Sequence, residues 1–412
     1  MNYTDALSWI YSTQHHGIKP GLETIQRLLR ALEFDGKGRK FIHVAGTNGK
    51  GSVCAMLDSI CRAEGLRTAL YTSPHLVTFR ERIRLGGETI SEEQIARGLT
   101  KIAERTSGWE PPATFFEIAT ALALDFFAHE QAEVIVLETG MGGRLDATNV
   151  VNPIVSVITA IDYDHQAWLG STLAEIAREK AGIIKPGIPV VSVPQQEEAA
   201  TVIVKTAAEK NAAVAFVEEP LEKFPVGLAG SHQKLNAALA IAALSAGGVK
   251  VSEEAIQRGL REIDWPGRFQ LIKNQKSKIK NLLVLDGAHN AAAAKRLLQT
   301  WREVFGGEKA TLILGVLKDK DVAAVCRELL PVASACIVTP VRSQRTSTTR
   351  ELQATIRKLA SGVDCRVAAG FSHALEMAAL SAEKILVTGS LFLVGEALAF
   401  FEGSGDPDES LQ

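Results

Sequence analysis

The segment Gly46-Thr47-Asn48-Gly49-Lys50-Gly51-Ser52 carries the residue types that hold phosphate. It sits directly after the apolar run Phe41 to Ala45 and at the head of a helical segment near Ser52 to Glu64. Its glycines free backbone N–H groups to close around phosphate oxygens, Lys50 adds a positive charge, and the helix N-terminus adds its dipole. Thr47, Asn48, Gly49, Lys50, Gly51 and Ser52 are therefore expected to bind a nucleotide. The spacing departs from the standard phosphate loop, since position 44 is Val and Gly51 separates Lys50 from the Ser52 hydroxyl. A variant loop is implied, and a glycine-rich connection with a solvated lysine is the plain alternative.

A nucleotide phosphate calls for magnesium, whose hard oxygen donors belong at the carboxyl ends of strands. Glu138 ends the apolar run Val134 to Leu137 and leads into Thr139-Gly140-Met141-Gly142-Gly143-Arg144. An ordinary strand-end carboxylate is the alternative there. Asp162, Asp164 and His165 follow the run Ile154 to Thr159, and three titratable groups after one buried strand favour a site over a lone structural histidine. Lys180 closes a helical segment, where a cation is ordinarily welcome, so its context alone makes it a helix-end charge. Farther on, Asp286-Gly287-Ala288-His289-Asn290 follows Leu282 to Leu285 and opens a helix. Asp286 can accept from ribose hydroxyls there and His289 can stack on a base, while Asp286 or Asn290 can equally cap the helix.

The elements that must position these groups alternate in type. Phe41 to Ala45, Thr68 to Thr72, Val134 to Leu137, Ile154 to Thr159 and Pro189 to Val193 read as buried strands. Helical periods fall near Leu22 to Leu32, Ser52 to Glu64, Thr114 to Ala128 and Leu173 to Ala181. Alternation of this kind implies an α/β fold with a mostly parallel sheet and helices on both faces. Arg80 to Arg84 and Glu88 to Ile90 flank Gly86-Gly87 as a hairpin. After the turn cluster Asp264-Trp265-Pro266-Gly267, a second series of strands is expected at Leu282 to Leu285, Thr311 to Leu314, Ala335 to Val338, Cys365 to Ala368 and Ile385 to Val387. The expected division is an ATPase domain over 1–264, a smaller Rossmann-like α/β domain over 265–402 and a flexible tail over 403–412, with the ligand cleft between the domains.

Composition narrows the function. The chain has 412 residues, 46% of them hydrophobic and 22% charged, with a net charge of -2, which gives no electrostatic case for binding nucleic acid or a membrane surface. The five scattered cysteines form neither a metal spacing nor a disulfide pattern, and Met1 to Ala6 lack the character of a signal peptide. No long apolar stretch is present, and Ile385 to Phe401 reads as a strand followed by a buried helix. A cytoplasmic setting is expected.

Taken together, the motifs resemble the Mur ligase superfamily, and within it the folate branch of folylpolyglutamate synthase and dihydrofolate synthase. The resemblance rests on HVAGTNGKGS from His43 to Ser52, TSPHL from Thr72 to Leu76, ERIRL from Glu81 to Leu85, LETGMGGRLDATN from Leu137 to Asn149, DHQAWLGSTLAEIAREKAGIIK from Asp164 to Lys185, HQKLNAALA from His232 to Ala240, PGRFQ from Pro266 to Gln270 and LDGAHN from Leu285 to Asn290. It implies an ATP-dependent amide ligase that works through an acyl phosphate, with ATP and two magnesium ions. By analogy Lys50 and Ser52 hold the β- and γ-phosphates, Ser52, Ser73 and Glu138 bind one magnesium, and His165 binds the second. The same analogy makes Lys180 a carbamylated magnesium ligand, against its bland reading. Asn236 and Arg268 resemble residues that meet ATP across the cleft, and Asp286 and His289 resemble its ribose and adenine contacts. Gly21, Leu22, Thr114, Phe116, Asp146 and Ala147 match positions that line a pterin pocket. Arg80, Arg82 and Arg84 alternate at strand period, which could draw an anionic glutamyl tail, although a solvated hairpin edge is the alternative.

The expected activity is therefore addition of L-glutamate to reduced folates and to dihydropteroate by a cytoplasmic monomer with small-molecule substrates, without nucleic acid or membrane. A peptidoglycan-precursor amino-acid ligase is the alternative enzyme. Only about 40 residues precede the phosphate loop, short of the usual domain minimum of about 50, which disfavours a separate domain for a UDP-sugar. A nucleotide-sensing switch is disfavoured by the absence of an NKxD motif.

Overall fold

The computed structural model describes the chain except residues 18, 20, 274–280, 381–383 and 409–412. Eight strands form the first sheet: β1 (Lys40–Ala45), β2 (Thr68–Tyr71), β3 (Ile83–Leu85), β4 (Glu88–Thr89), β5 (Val134–Glu138), β6 (Val155–Ile158), β7 (Val190–Ser192) and β8 (Val214–Phe216). Their order is β4-β3-β2-β5-β1-β6-β7-β8, parallel throughout except for the antiparallel β2-β3-β4 edge. β1 is central because its residues from Phe41 onward are buried, as expected of a strand covered on both faces. With β5 on one side and β6 on the other, its carboxyl end opens a crevice where Ala45, Glu138 and Ile158 end together.

The helix Lys50–Ala63 that follows β1 is buried over its whole middle. Gly259 of a neighbouring helix permits this, since a Cβ there would lie 2.7 Å from the Ile60 Cα. The Gly86-Gly87 hairpin is present, both glycines having positive φ, as a two-residue turn between right-twisted strands requires. Its leading arm differs from expectation. Phe79–Arg82 is a 3₁₀ turn held by a reciprocal cap between Thr78 and Glu81, and the strand begins only at Ile83.

The second sheet contains β9 (Gln270–Lys273), β10 (Leu282–Leu285), β11 (Ala310–Leu314), β12 (Ala333–Val338), β13 (Asp364–Val367) and β14 (Lys384–Thr388) in the order β13-β12-β11-β14-β10-β9. All pair in parallel except the edge strand β9, which the sequence reading did not anticipate. The buried helix Leu391–Glu402 follows β14 as expected. Among the described residues no helix is long and apolar enough to cross a membrane. Of the tail expected over 403–412, residues 409–412 lie outside the described residues. Asp408 returns to the first domain, its N–H donating to the Val77 carbonyl at 2.7 Å and its carboxylate accepting from the Phe79 N–H at 2.8 Å.

Candidate active site

The phosphate loop is built from backbone and anchored to the next strand. Thr47 and Asn48 N–H groups both donate to the Ala160 carbonyl, and the Thr47 hydroxyl bonds the Asp162 backbone. Gly46 has φ +149° and lies so close to β6 that an added Cβ would fall 1.9 Å from the Thr159 hydroxyl. Gly49, at φ +95°, starts the helix and leaves its first N–H groups facing the cleft. Lys50 folds back, donating to the Gly46 and Thr47 carbonyls at 3.1 and 3.3 Å. Ser52 is buried and accepts from Gln233, whose amide oxygen in turn accepts from Asn236. Gln233 thus links the loop to the helix Ser231–Ala246, a role the sequence reading did not assign, although it stands inside the HQKLNAALA segment.

Ser73 and Glu138 face each other across the parallel strands β2 and β5. The Ser73 N–H donates to a Glu138 carboxylate oxygen at 3.2 Å, while the buried hydroxyls of Ser73 and Thr139 have no partner among the described residues. Burial raises the Glu138 carboxyl above its ordinary value, and the nearby Lys50 charge opposes the rise. Among the described residues no three His, Cys, Asp or Glu side chains converge into a protein cage. One buried carboxylate with orphaned hydroxyls instead suits a hard cation that keeps waters and takes its remaining oxygens from a phosphate. The donor set therefore fits magnesium.

After β6, Asp164 becomes the hub of the second-domain wall. Its carboxylate accepts from the Lys320 ammonium at 2.5 Å and the Asn290 amide at 3.0 Å, with His289 Nε2 at 3.5 Å. Burial opposes ionisation, but His289, His165 and Lys320 outweigh it and hold the carboxyl well below the usual range. His165, at φ +51°, is a non-glycine in the left-handed region, the strained geometry that functional loops retain. Burial first, reinforced by Lys320 and Lys50 against Asp164, lowers its pKa to about 3 and keeps the imidazole neutral, the form in which it ligates metal. Lys180 is buried, and its ammonium donates to the Gly46 carbonyl at 2.8 Å. Burial and the Lys50 charge lower its pKa to about 7. The helix-end reading of Lys180 therefore gives way to a buried amine under the phosphate loop.

From the second domain, Phe269 at φ +44° turns the chain so that Arg268 lines the cleft. Asp286 spends its oxygens on the Phe269 and Ala288 N–H groups, and burial raises its carboxyl against the pull of Arg268. His289 Nδ1 lies 2.8 Å from the Gly287 carbonyl, so its ring spans that turn and Asp164. Asn290 caps the helix Ala291–Phe305 as anticipated, and also exchanges hydrogen bonds with Asn48 of the loop at 3.1 and 3.3 Å. Lys320 carried no signal in the sequence.

Of the positions matched to a pterin pocket, Phe116 and Asp146 lie against Gly140 and Met141, which themselves line the cleft. Phe116 covers Gly140 closely enough that a Cβ there would meet the ring at 2.6 Å. Asp146 accepts from the Gly140, Met141 and Thr148 N–H groups and from the Thr148 hydroxyl, which accounts for its carboxylate oxygens. Ala147 follows in a 3₁₀ turn packed near the helix Glu23–Ala31 that Leu22 precedes, with Gly21 at φ +141° ahead of it. Thr114 caps the helix Phe115–His129 through Glu117. Arg82 contradicts its expected role. It is fully buried, its Nε donates to His75 Nδ1 at 2.8 Å, and the Phe79 and Phe115 rings lie beside its guanidinium, so it does not face a substrate. The strand period that would align Arg80, Arg82 and Arg84 is broken by the 3₁₀ turn.

Comparison with known proteins bears on the family and the fold. Residues 44–187 match the Mur ligase middle domain, and residues 267–391 match the Mur ligase glutamate ligase domain. The chain is 35% identical to the dihydrofolate synthase/folylpolyglutamate synthase of Bacillus subtilis, over 96% of this chain and 98% of that protein. The Escherichia coli FolC structure in complex with DHPP and ADP superposes with a TM-score of 0.88 at 30% identity, over 98% of both chains. The bifunctional folylpolyglutamate synthase/dihydrofolate synthase of Yersinia pestis complexed with AMPPNP and Mn ion gives 0.85 at 31% identity, over 98% of this chain and 99% of that one.

Proposed function

The chain belongs to the dihydrofolate synthase/folylpolyglutamate synthase family of Mur ligases, and we propose that it carries both activities, joining L-glutamate to dihydropteroate and to tetrahydrofolate. It is an ATP-dependent carbon–nitrogen ligase with a divalent-metal requirement. The peptidoglycan alternative falls away, because relatives matched over nearly their whole length are folate ligases. One observation carries the reading: the phosphate loop, Glu138 and the Gly140-Met141 turn share a wall, and the pterin-side Phe116 lies against Gly140. An acceptor carboxylate can thus stand beside a γ-phosphate.

Lys50 exchanges the loop carbonyls for the β- and γ-phosphates, and Arg268 approaches the γ-phosphate from the second domain once the cleft closes. Transfer of the γ-phosphoryl to the acceptor carboxylate expels ADP. The glutamate amine then attacks the acyl carbon, loses a proton and displaces phosphate. Ser52, Ser73 and Glu138 would hold one magnesium, and His165 and carbamylated Lys180 a second; when bound, the ions would supply positive charge against the transferring phosphoryl. The pKa of Lys180 near 7 leaves a fraction of neutral amine to attack carbon dioxide, giving a carbamate and a released proton. Asn236 contacts the nucleotide, as do Asp286 and His289 at ribose and base, while Gly21, Leu22, Thr114, Phe116, Asp146 and Ala147 enclose the pterin.

The separation of the two sheets supports a domain division at 264/265, and the balanced charge and five free thiols support a cytoplasmic monomer without nucleic-acid or membrane partners. The test is ADP formation with magnesium-ATP, L-glutamate and each acceptor separately, with products identified by mass. Turnover with both is expected. Turnover with one removes the bifunctional reading, and turnover with neither removes the proposed acceptors.

A further inference from the structure

The loop that carries Ser73 is wedged between the domains. Its first residue is tied to the end of the 3₁₀ turn, the Thr72 N–H donating to the Arg82 carbonyl. Glu81 then gathers the Leu76, Val77 and Thr78 N–H groups. Leu76 and Val77 pack into the core of the second domain, where Gly395 of the helix Leu391–Glu402 approaches so closely that a Cβ would fall 2.1 Å from the Leu76 carbonyl oxygen. Beyond this helix the chain turns outward through exposed Gly403 to Asp406, and Asp406 pairs with Arg342. It then turns back. The Asp408 N–H donates to the Val77 carbonyl, its carboxylate accepts from the Phe79 N–H, and its carbonyl lies 3.5 Å from His75 Nε2. His75 Nδ1 accepts from Arg82, which leaves Nε2 as the protonated nitrogen and hence the donor toward Asp408.

We propose that Asp408 is a positioning residue for the Ser73 loop, a strap by which the end of the second domain fixes the metal-side donors Ser73 and Glu138 of the first. The proposal rests on the metal-site reading above. Two physical facts support it. All three Asp408 contacts fall on residues two to six positions after Ser73, and a carboxylate bonded to a loop N–H is among the stronger hydrogen bonds. The strap is also anchored on both sides, at Arg342 of the second domain and at Val77 and Phe79 of the loop, so it resists rotation of Ser73 away from Glu138.

The experiment titrates Mn2+ by electron paramagnetic resonance against the full-length protein with a non-hydrolysable ATP analogue, for the wild type, Asp408→Ala, Asp408→Asn and Arg342→Ala. Asp408→Ala is expected to weaken Mn2+ binding about tenfold, while affinity for the analogue without metal is unchanged. Asp408→Asn, whose amide oxygen still accepts from Phe79, stays near the wild type, and Arg342→Ala shifts about twofold in the same direction as an exposed pair. A merely structural role would lower the melting temperature without selecting metal over nucleotide or responding to the conservative change. Unchanged Mn2+ affinity in Asp408→Ala overturns the proposal. If that variant does not fold, unchanged affinity in Arg342→Ala overturns it instead. A wild type that binds no Mn2+ with the analogue overturns the metal-site reading and the strap with it.

Discussion

The two walls of the cleft are made differently. Apart from the Ser73 loop, the first-domain wall is self-contained: the loop after β1 bonds the strand end at Ala160, Glu138 ends β5, and Lys180 reaches the Gly46 carbonyl beneath them. The second-domain wall reaches the first through side chains, with Lys320 and Asn290 converging on Asp164 and Asn290 clasping Asn48. A wall of backbone and strand ends is fixed when its sheet folds. A wall of side-chain bridges is fixed only when the domains meet, so it can open for exchange and close for transfer.

Removing a first-domain charge should therefore abolish chemistry without disturbing the fold. Lys50→Met is expected to lower kcat/KM about 1,000-fold, since it removes the fixed cation at the transferring phosphate. Its melting temperature should remain near the wild type, because among the described residues Lys50 bonds loop carbonyls alone. A loss below tenfold would show that the loop backbone alone carries the phosphates.

Lys180 comes next, and here the sign of the pH effect matters. Its pKa is lowered to about 7, so the neutral amine that reacts with carbon dioxide increases as pH rises through about 7 and is lost below it. Activity should climb over that window, and depletion of bicarbonate should depress it at fixed pH. Lys180→Ala is expected to cost roughly 100-fold in activity. Intact mass of the magnesium–nucleotide complex showing an unmodified lysine would refute carbamylation and leave Lys180 as a cation below the loop.

The second-domain wall should respond in stability as well as rate. Lys320→Met leaves the buried Asp164 carboxylate short of its closest cation, both side chains being less than a tenth exposed. The expected cost is about 3–5 kcal/mol in unfolding free energy, together with roughly a tenfold fall in kcat/KM. Denaturant titration separates the two effects. A variant that keeps full stability would mean that Asp164 is satisfied without this pair.

The same contrast explains what the sequence disclosed. The phosphate loop, Glu138 and the DGAHN turn were legible because each is a local pattern, a strand end followed by glycines or a cap. Lys320 was invisible because its partner lies 156 residues away and no local spacing announces it. Asn290 was legible as a helix cap but not as a bridge to a residue 242 positions earlier. Lys180 was read from its own helix as an ordinary terminal charge, and only the fold reveals its burial. Arg82 departs from the strand-period expectation although a local signal is present. The Thr78-Phe79-Arg80-Glu81 stretch has capping-box spacing, which predicts the 3₁₀ turn that replaces the strand and turns Arg82 inward.

Asn290 gives the smallest expected effect and the sharpest division between the walls, because it does two jobs at once. Its amide oxygen caps the helix Ala291–Phe305, and its amide nitrogen joins Asn48 to Asp164. Asn290→Ala removes both, but Asn290→Ser keeps a hydroxyl able to cap and is too short to bridge. Loss of the cap alone should lower stability by about 1 kcal/mol, so only the alanine variant should melt earlier. Loss of the bridge should raise the KM for ATP about threefold to tenfold in both variants, with kcat within about twofold, because these bonds hold the closed walls together rather than stabilise the transferring phosphate. If Asn290→Ser instead retains the wild-type KM, the Asn48–Asn290–Asp164 bridge contributes nothing to nucleotide retention. The second-domain wall would then be as self-contained as the first, held by its own caps and turns, and closure of the cleft would have to rest on Arg268 and the nucleotide itself.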